Sequence, residues 1–132
     1  MIGIDTNVLV RYIVQDDVQQ ARAATHFIEH KLSVKRPGFI NPIVLCELVW
    51  VLESGYGYAR AQIAETLQRL FEIDRFRVQM PALAWRARAA YIAGADFSDG
   101  LITHINLASD CTETVSFDRA AKRFAGMSLV SK

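Results

Sequence analysis

Apolar residues in this chain fall alternately into short unbroken runs and longer stretches of helical spacing. Ile2 to Asp5 reads as a short buried strand closed by a carboxylate, with Thr6 and Asn7 behind it and a second apolar run from Val8 to Val14. The spacing of Val18, Ala21, Ala24, Phe27 and Ile28 predicts a helix within Asp16 to Leu32. Pro37 and Gly38 break the chain before a second short strand at Phe39 and Ile40. Asn41-Pro42 is an N-cap followed by a favoured first helical residue, which predicts a helix from Pro42 to about Glu53. SGYGY turns the chain, Ala59 to Phe71 has the pattern of an amphipathic helix, Arg75 to Val78 alternates like a strand, and Pro81 starts a helix to about Ala93. Beyond Gly94 the pattern predicts a helix from Ser98 to Ala108 and a strand from Glu113 to Phe117. A short helix from Asp118 to Phe124 and a last strand at Ser128 to Val130 follow. Such alternation means an α/β fold, with a mostly parallel sheet, right-handed crossovers and helices on both faces.

The 132 residues, 52% of them hydrophobic, suit a single domain over 1–132 with a sizeable core; neither repeats nor a linker divide it. No uncharged apolar run reaches membrane-spanning length and Asp5 interrupts a signal-peptide reading, so a soluble, cytoplasmic protein without membrane association is expected. Cys46 and Cys111 belong to no paired motif and are expected to be buried free thiols.

The acids change the picture. Asp5 follows the first strand, Asp118 follows TVSF, and Asp99 lies in the first turn of the helix beginning at Ser98. Glu47 is the only charge between Arg36 and Glu53, within PIVLCELVWVL, where a solvated face is hard to find. Taken singly, the aspartates read as helix caps. In an open parallel sheet, however, the carboxyl ends of the strands and the helix N-termini after them share one edge, which would make the acids neighbours. Two carboxylates about 5 Å apart repel by roughly 3 kcal/mol at an effective dielectric near 20, and a helix dipole offsets only about 0.3–1 kcal/mol. A cation is expected among them, and an all-oxygen donor set suits Mg²⁺ or Mn²⁺ rather than zinc.

DTNVLVRY, CELVWVLE, GADFSDGLI and TVSFDRAAKRF, in that order, resemble the signature of the PIN domain, most closely its VapC-type toxins, over Ile2 to Val130. The resemblance implies a three-layer α/β sandwich with a mostly parallel central sheet of about four to five strands. It also implies Mg²⁺-dependent cleavage of RNA phosphodiesters by metal-activated water. By it, Asp5, Glu47, Asp99 and Asp118 match the family's acidic quartet, Asp96 an additional acid, and Ser116 the small hydroxyl residue before the last aspartate. Asp5 and Asp99 would be the principal metal ligands, and Asp118 and Glu47 ligands directly or through water. Asp96 would be an outer or second-ion ligand, while Thr6, Asn7 and Ser116 orient ligands or substrate, or simply cap the strand–helix turns. Gly100 departs from the family, which more often has Ala there; this weakens the helix start without removing a ligand.

Other signals carry less. HFIEH matches H-x-x-E-H, but a zinc site needs a further ligand and a cleft, so His26 and His30 read as a solvated helical face. His104, inside the helix after Asp99, reads as a structural histidine, with a role near substrate as the alternative. A phosphoaspartate enzyme would have an acid where Asn7 stands, a receiver domain would pair acids at strand one, and no Gly-rich phosphate loop is present. A nuclease leads; the alternatives are a silent PIN-fold interaction module and a PIN nuclease of RNA processing that is not a toxin.

Without Asp5, Glu47, Asp96, Asp99 and Asp118, nine acids face fifteen bases, eleven of them Arg, a surplus that favours a polyanion. Arg119, Lys122 and Arg123 recur at i, i+3 and i+4 after Asp118 and could contact phosphate or form ordinary solvated surface. The resemblance implies RNA as substrate, a cognate antitoxin and a homodimer. Trp50, Val51, Tyr56 and Tyr58 could supply apolar contact surface for the latter two, or be buried within the domain.

Overall fold

The computed structural model describes residues 1–120 and 124–130. It divides into two compact units, Met1–Pro81 and Ala82–Lys132. In the first, β1 (Ile2–Gly3), β2 (Gly38–Ile40) and β3 (Phe76–Val78) form one parallel sheet in the order β1-β2-β3, with Ile2 opposite Gly38 and Gly38 opposite Phe76. Helices α1 (Thr6–Val14), α2 (Val18–His26), α3 (Pro42–Ser54) and α4 (Arg60–Glu72) belong to the same unit. In the second unit α5 (Pro81–Ile92) and α6 (Phe97–Ala108) precede β4 (Thr114–Ser116) and β5 (Met127–Leu129), a parallel pair. The parallel α/β class is as expected. Among the described residues the first unit has a ladder of three strands and the second a ladder of two, so the sheet is small. Strands of two or three residues leave few positions for further ladder bonds.

Local chemistry explains the elements that position the acids. Asn41 caps α3, its Oδ1 accepting from the Val44 N–H at 3.0 Å, and Pro42 fills the first helical position, where no N–H is needed. Leu45, Leu48 and Leu52, each fully buried, form the inner stripe of α3. Helix α1 is an addition to the expected elements. Its start is held by Asp5 and its end by Gln15 in the left-handed region at φ 61°, while Leu9 and Val10 turn inward. The single helix expected from Asp16 to Leu32 is instead α2 continued by one π-helical turn, Phe27–Lys31, closed by Leu32 N–H to Phe27 C=O at 3.2 Å.

In the second unit Leu83, Ala84, Ala87 and Tyr91 give α5 its buried stripe, and Tyr91 meets Phe97 edge-on with centroids 6.3 Å apart. The side chain of Asn106 on α6 donates to the Thr114 hydroxyl on β4 at 2.9 Å. The expected helix from Asp118 to Phe124 falls partly on residues 121–123, outside the described residues, as do Lys122 and Arg123. Cys111 is exposed and Cys46 half-buried, which corrects the expectation of two buried thiols; neither is in a disulfide.

Gly100 is buried in α6, and a Cβ built there would meet Ala87 Cα at 3.4 Å and Cβ at 3.5 Å, ordinary van der Waals contact. Gly100→Ala therefore adds a methyl group without a clash and removes unfolded-state freedom. A gain of about 0.5–1 kcal/mol in chemical denaturation is expected. A loss instead would mean that α6 and α5 cannot absorb the methyl group.

Candidate active site

Two sets of acids are built, one in each unit. At the N-terminus of α1, Asp5 has extended backbone angles and its Oδ1 accepts from the Thr6 N–H at 2.8 Å. Thr6 is buried, and its hydroxyl donates to Glu47 Oε1 at 2.8 Å, so α1 holds the carboxylate of α3. Asp5, Thr6, Asn7 and Glu47 line a cleft of about 430 Å³. Glu47 is exposed, which corrects the expectation that α3 offers it no solvated face. Ile43, 71% exposed, and Trp50, 67% exposed, share its stripe at i−4 and i+3, so the outer face of α3 is solvated although largely apolar.

In the second unit Asp96, rather than Asp99, is the N-cap of α6, its Oδ2 accepting from the Asp99 N–H at 3.0 Å. Asp118 Oδ1 accepts from the Ala120 N–H at 3.0 Å, and the Asp118 N–H donates to Ser116 Oγ at 3.0 Å. Capping thus accounts for part of the bonding of Asp5, Asp96 and Asp118. It does not account for Asp99, whose carboxylate has no salt-bridge partner among the described residues. Burial, then the charges of Asp96 and Asp118, raises the Asp99 carboxyl above its ordinary value. Asp96, Asp99 and Asp118 line a cleft of about 650 Å³ together with His104, for which the sequence favours a structural role over one near substrate. Burial, and secondarily Arg86, lowers the His104 imidazole from its ordinary value. A histidine five residues after Asp99 was the available sequence signal.

Arg119 is exposed, and His26 and His30 are exposed with ring centroids 5.0 Å apart, in keeping with a solvated face. Tyr56 and Tyr58 are half-buried. Among the described residues no three His, Cys, Asp or Glu side chains are gathered as a metal-holding group, and no helix is long and apolar enough to cross a membrane. The donor chemistry nonetheless fits a hard divalent cation. Every candidate ligand is a carboxylate oxygen, and such an ion would offset the burial and, after it, the charges of Asp96 and Asp118 that raise Asp99.

Asp5 thus stands between β1 and α1, Asp118 just after β4, Asp96 and Asp99 at the start of α6, and Glu47 in the middle of α3. Residues 2–127 match the PIN domain family, and the chain belongs to it. No curated protein and no solved structure matches it significantly. Membership makes this a nuclease-type module; PIN nucleases bind nucleic acid and generally use divalent metal ions.

Proposed function

We propose that this chain is a Mg²⁺- or Mn²⁺-dependent endoribonuclease, a single cytoplasmic PIN domain over 1–132 and the VapC-type toxin of a toxin–antitoxin pair. The observation that carries the reading is Asp99, buried in part beside Asp96 and Asp118 with no cation paired to it among the described residues. Asp5 and Asp99 act as principal ligands, Asp118 and Glu47 as ligands directly or through water, and Asp96 as an outer ligand. One or two ions, when bound, would supply activation of water and neutralisation of charge developing on phosphate. The chain supplies the rest. Thr6 fixes Glu47 through its hydroxyl, and Ser116 fixes the backbone at Asp118. Asn7 lines the first cleft within reach of substrate, and Arg119, with Lys122 and Arg123, positions the polyanion. An antitoxin segment would quiet the enzyme by occupying the cleft beside Glu47, and the exposed apolar face of α3 gives it, or a second copy in a homodimer, surface to cover.

The test is metal-dependent cleavage of a mixed RNA pool by pure protein, together with thermal melts in MnCl₂. Ions that bind only the folded site raise the melting temperature by mass action, about 2.7 kcal/mol at a hundredfold excess over Kd. Asp5→Asn should abolish cleavage and most of that rise. An unchanged melt at millimolar metal with no cleavage leaves a silent interaction module instead. Toxicity is tested separately, by growth arrest on expression and its relief by the product of a small adjacent reading frame; cleavage without arrest points to an RNA-processing nuclease.

Glu47→Gln keeps a partner for the Thr6 hydroxyl and removes one charge from an exposed position, so folding stability should change by less than about 0.5 kcal/mol while turnover falls. Denaturant melts beside cleavage rates separate the two. An unfolded variant would make Glu47 a structural partner of Thr6 rather than a ligand.

A further inference from the structure

The cleft that holds Asp96, Asp99 and Asp118 is unevenly charged. His104 lines it five residues after Asp99 on α6, and Ala90 lines it from α5. Arg86 stands four residues before Ala90, so its side chain leaves α5 on the same face, about 6 Å nearer the N-terminus of that helix. Its charge is felt at His104, whose imidazole it lowers after burial does, whereas the charges felt at Asp99 are those of Asp96 and Asp118. The cleft therefore runs from an acidic end to a basic one. Arg86 is exposed, and among the described residues its guanidinium has neither a hydrogen bond nor an ion pair. The His104 ring is half-buried and likewise has no hydrogen-bond partner among them.

We infer that Arg86, with the His104 ring beside it, holds the phosphate next to the one handled at the acids, so that the cleft takes two successive phosphates of one strand and Arg86 sets their register. The inference rests on the nuclease reading and adds a positioning residue to it. A phosphate at the acidic end is held through a cation, but its neighbour along the strand brings a further charge that no carboxylate can accept. Arg86 meets that charge with a planar fork of N–H donors, and a neutral imidazole at His104 adds one N–H. The guanidinium stays charged at any working pH, so the contact does not depend on the ionisation of His104. With no acid paired to Arg86 among the described residues, the phosphate gains this partner without breaking an ion pair. Contacts of this kind place a strand and carry no base preference.

Asp99→Asn, which should bind RNA without cutting it, gives the background for titrations with an unstructured RNA at several salt concentrations. Adding Arg86→Ala should weaken binding about fivefold or more and flatten the slope of log K against log salt by about 0.7, the share of one single-strand phosphate. Adding Arg69→Ala instead, at an exposed arginine on α4, should change neither. In the otherwise wild-type protein with Mg²⁺, Arg86→Ala should raise KM by more than it lowers kcat, and Arg86→Lys should recover part of the loss. An RNA whose phosphate on one side of the cleaved bond is replaced by a neutral methylphosphonate should raise the wild-type KM in the same way, and Arg86→Ala should then add little to it. Unchanged affinity and slope in Arg86→Ala, an equal loss in Arg69→Ala, or fully additive effects of Arg86→Ala and the methylphosphonate on both sides of the bond overturns the inference. The nuclease reading fails by a different result, a wild-type protein that cuts no RNA in Mg²⁺ or Mn²⁺.

Discussion

Asp99→Asn is expected to lower RNA cleavage by about a hundredfold or more, because several kcal/mol of metal-borne charge stabilisation depends on the ligand and each 1.36 kcal/mol is a factor of ten. The substitution preserves the first turn of α6, whose N-cap bond runs from the Asp99 backbone N–H to Asp96. RNA binding should therefore persist, or strengthen as repulsion between carboxylates and phosphate falls. A second readout needs no metal. Burial, then Asp96 and Asp118, raises the Asp99 carboxyl above its ordinary 3.8. For a group raised on folding, the stability it contributes is complete below its unfolded value and is lost as pH rises through its folded value. The ion-free wild type thus carries this cost at neutral pH and Asp99→Asn does not. The variant should be the more stable ion-free protein at pH 7, with the difference closing as pH falls toward 3.8. MnCl₂ should reverse the order by stabilising wild type more. Wild-type cleavage by Asp99→Asn would show the acid set to be wrongly assigned.

What could be read from the chain beforehand follows the range of the interactions concerned. Asn41-Pro42 announces α3 because a side-chain cap and a fixed φ act within four residues. Helix α1 was illegible for the opposite reason. Its run from Val8 to Val14 is interrupted only by Arg11 and Tyr12, so it has no clear period, and its terminator is Gln15 rather than Gly. The π-helical turn after His26 has no mark in the spacing; Ile28 within it and Leu32 after it are buried as in an ordinary apolar stripe. At the site, residue type was enough to single out Asp5, Glu47, Asp96, Asp99 and Asp118 as candidates. It did not tell that Asp96 takes the cap and leaves Asp99 free, since both precede or enter the same first turn. The exposure of Glu47 is not legible in an apolar sequence, because apolar residues also face solvent, as Ile43 and Trp50 do here.

The largest expected loss of stability lies one residue from Glu47. Leu48 is fully buried on α3, between buried Leu45 and Leu52, and Leu48→Ala removes three carbons from a packed stripe that can close only in part. The cost should be about 2–5 kcal/mol, a large share of the roughly 5–15 kcal/mol that holds a domain folded. Denaturant midpoints should fall accordingly while the slope stays constant. At low temperature, where the variant remains folded, cleavage per folded molecule should stay within a few-fold of wild type, because the Thr6 bond to Glu47 lies on the other side of the helix. Glu47→Gln should give the inverse pattern, near-native stability with lost turnover. The two adjacent substitutions therefore separate what α3 does for folding on its inner stripe from what it does for chemistry on its outer one. A neutral Leu48→Ala in denaturation would mean that α3 is not packed against the sheet unit as its buried leucines require.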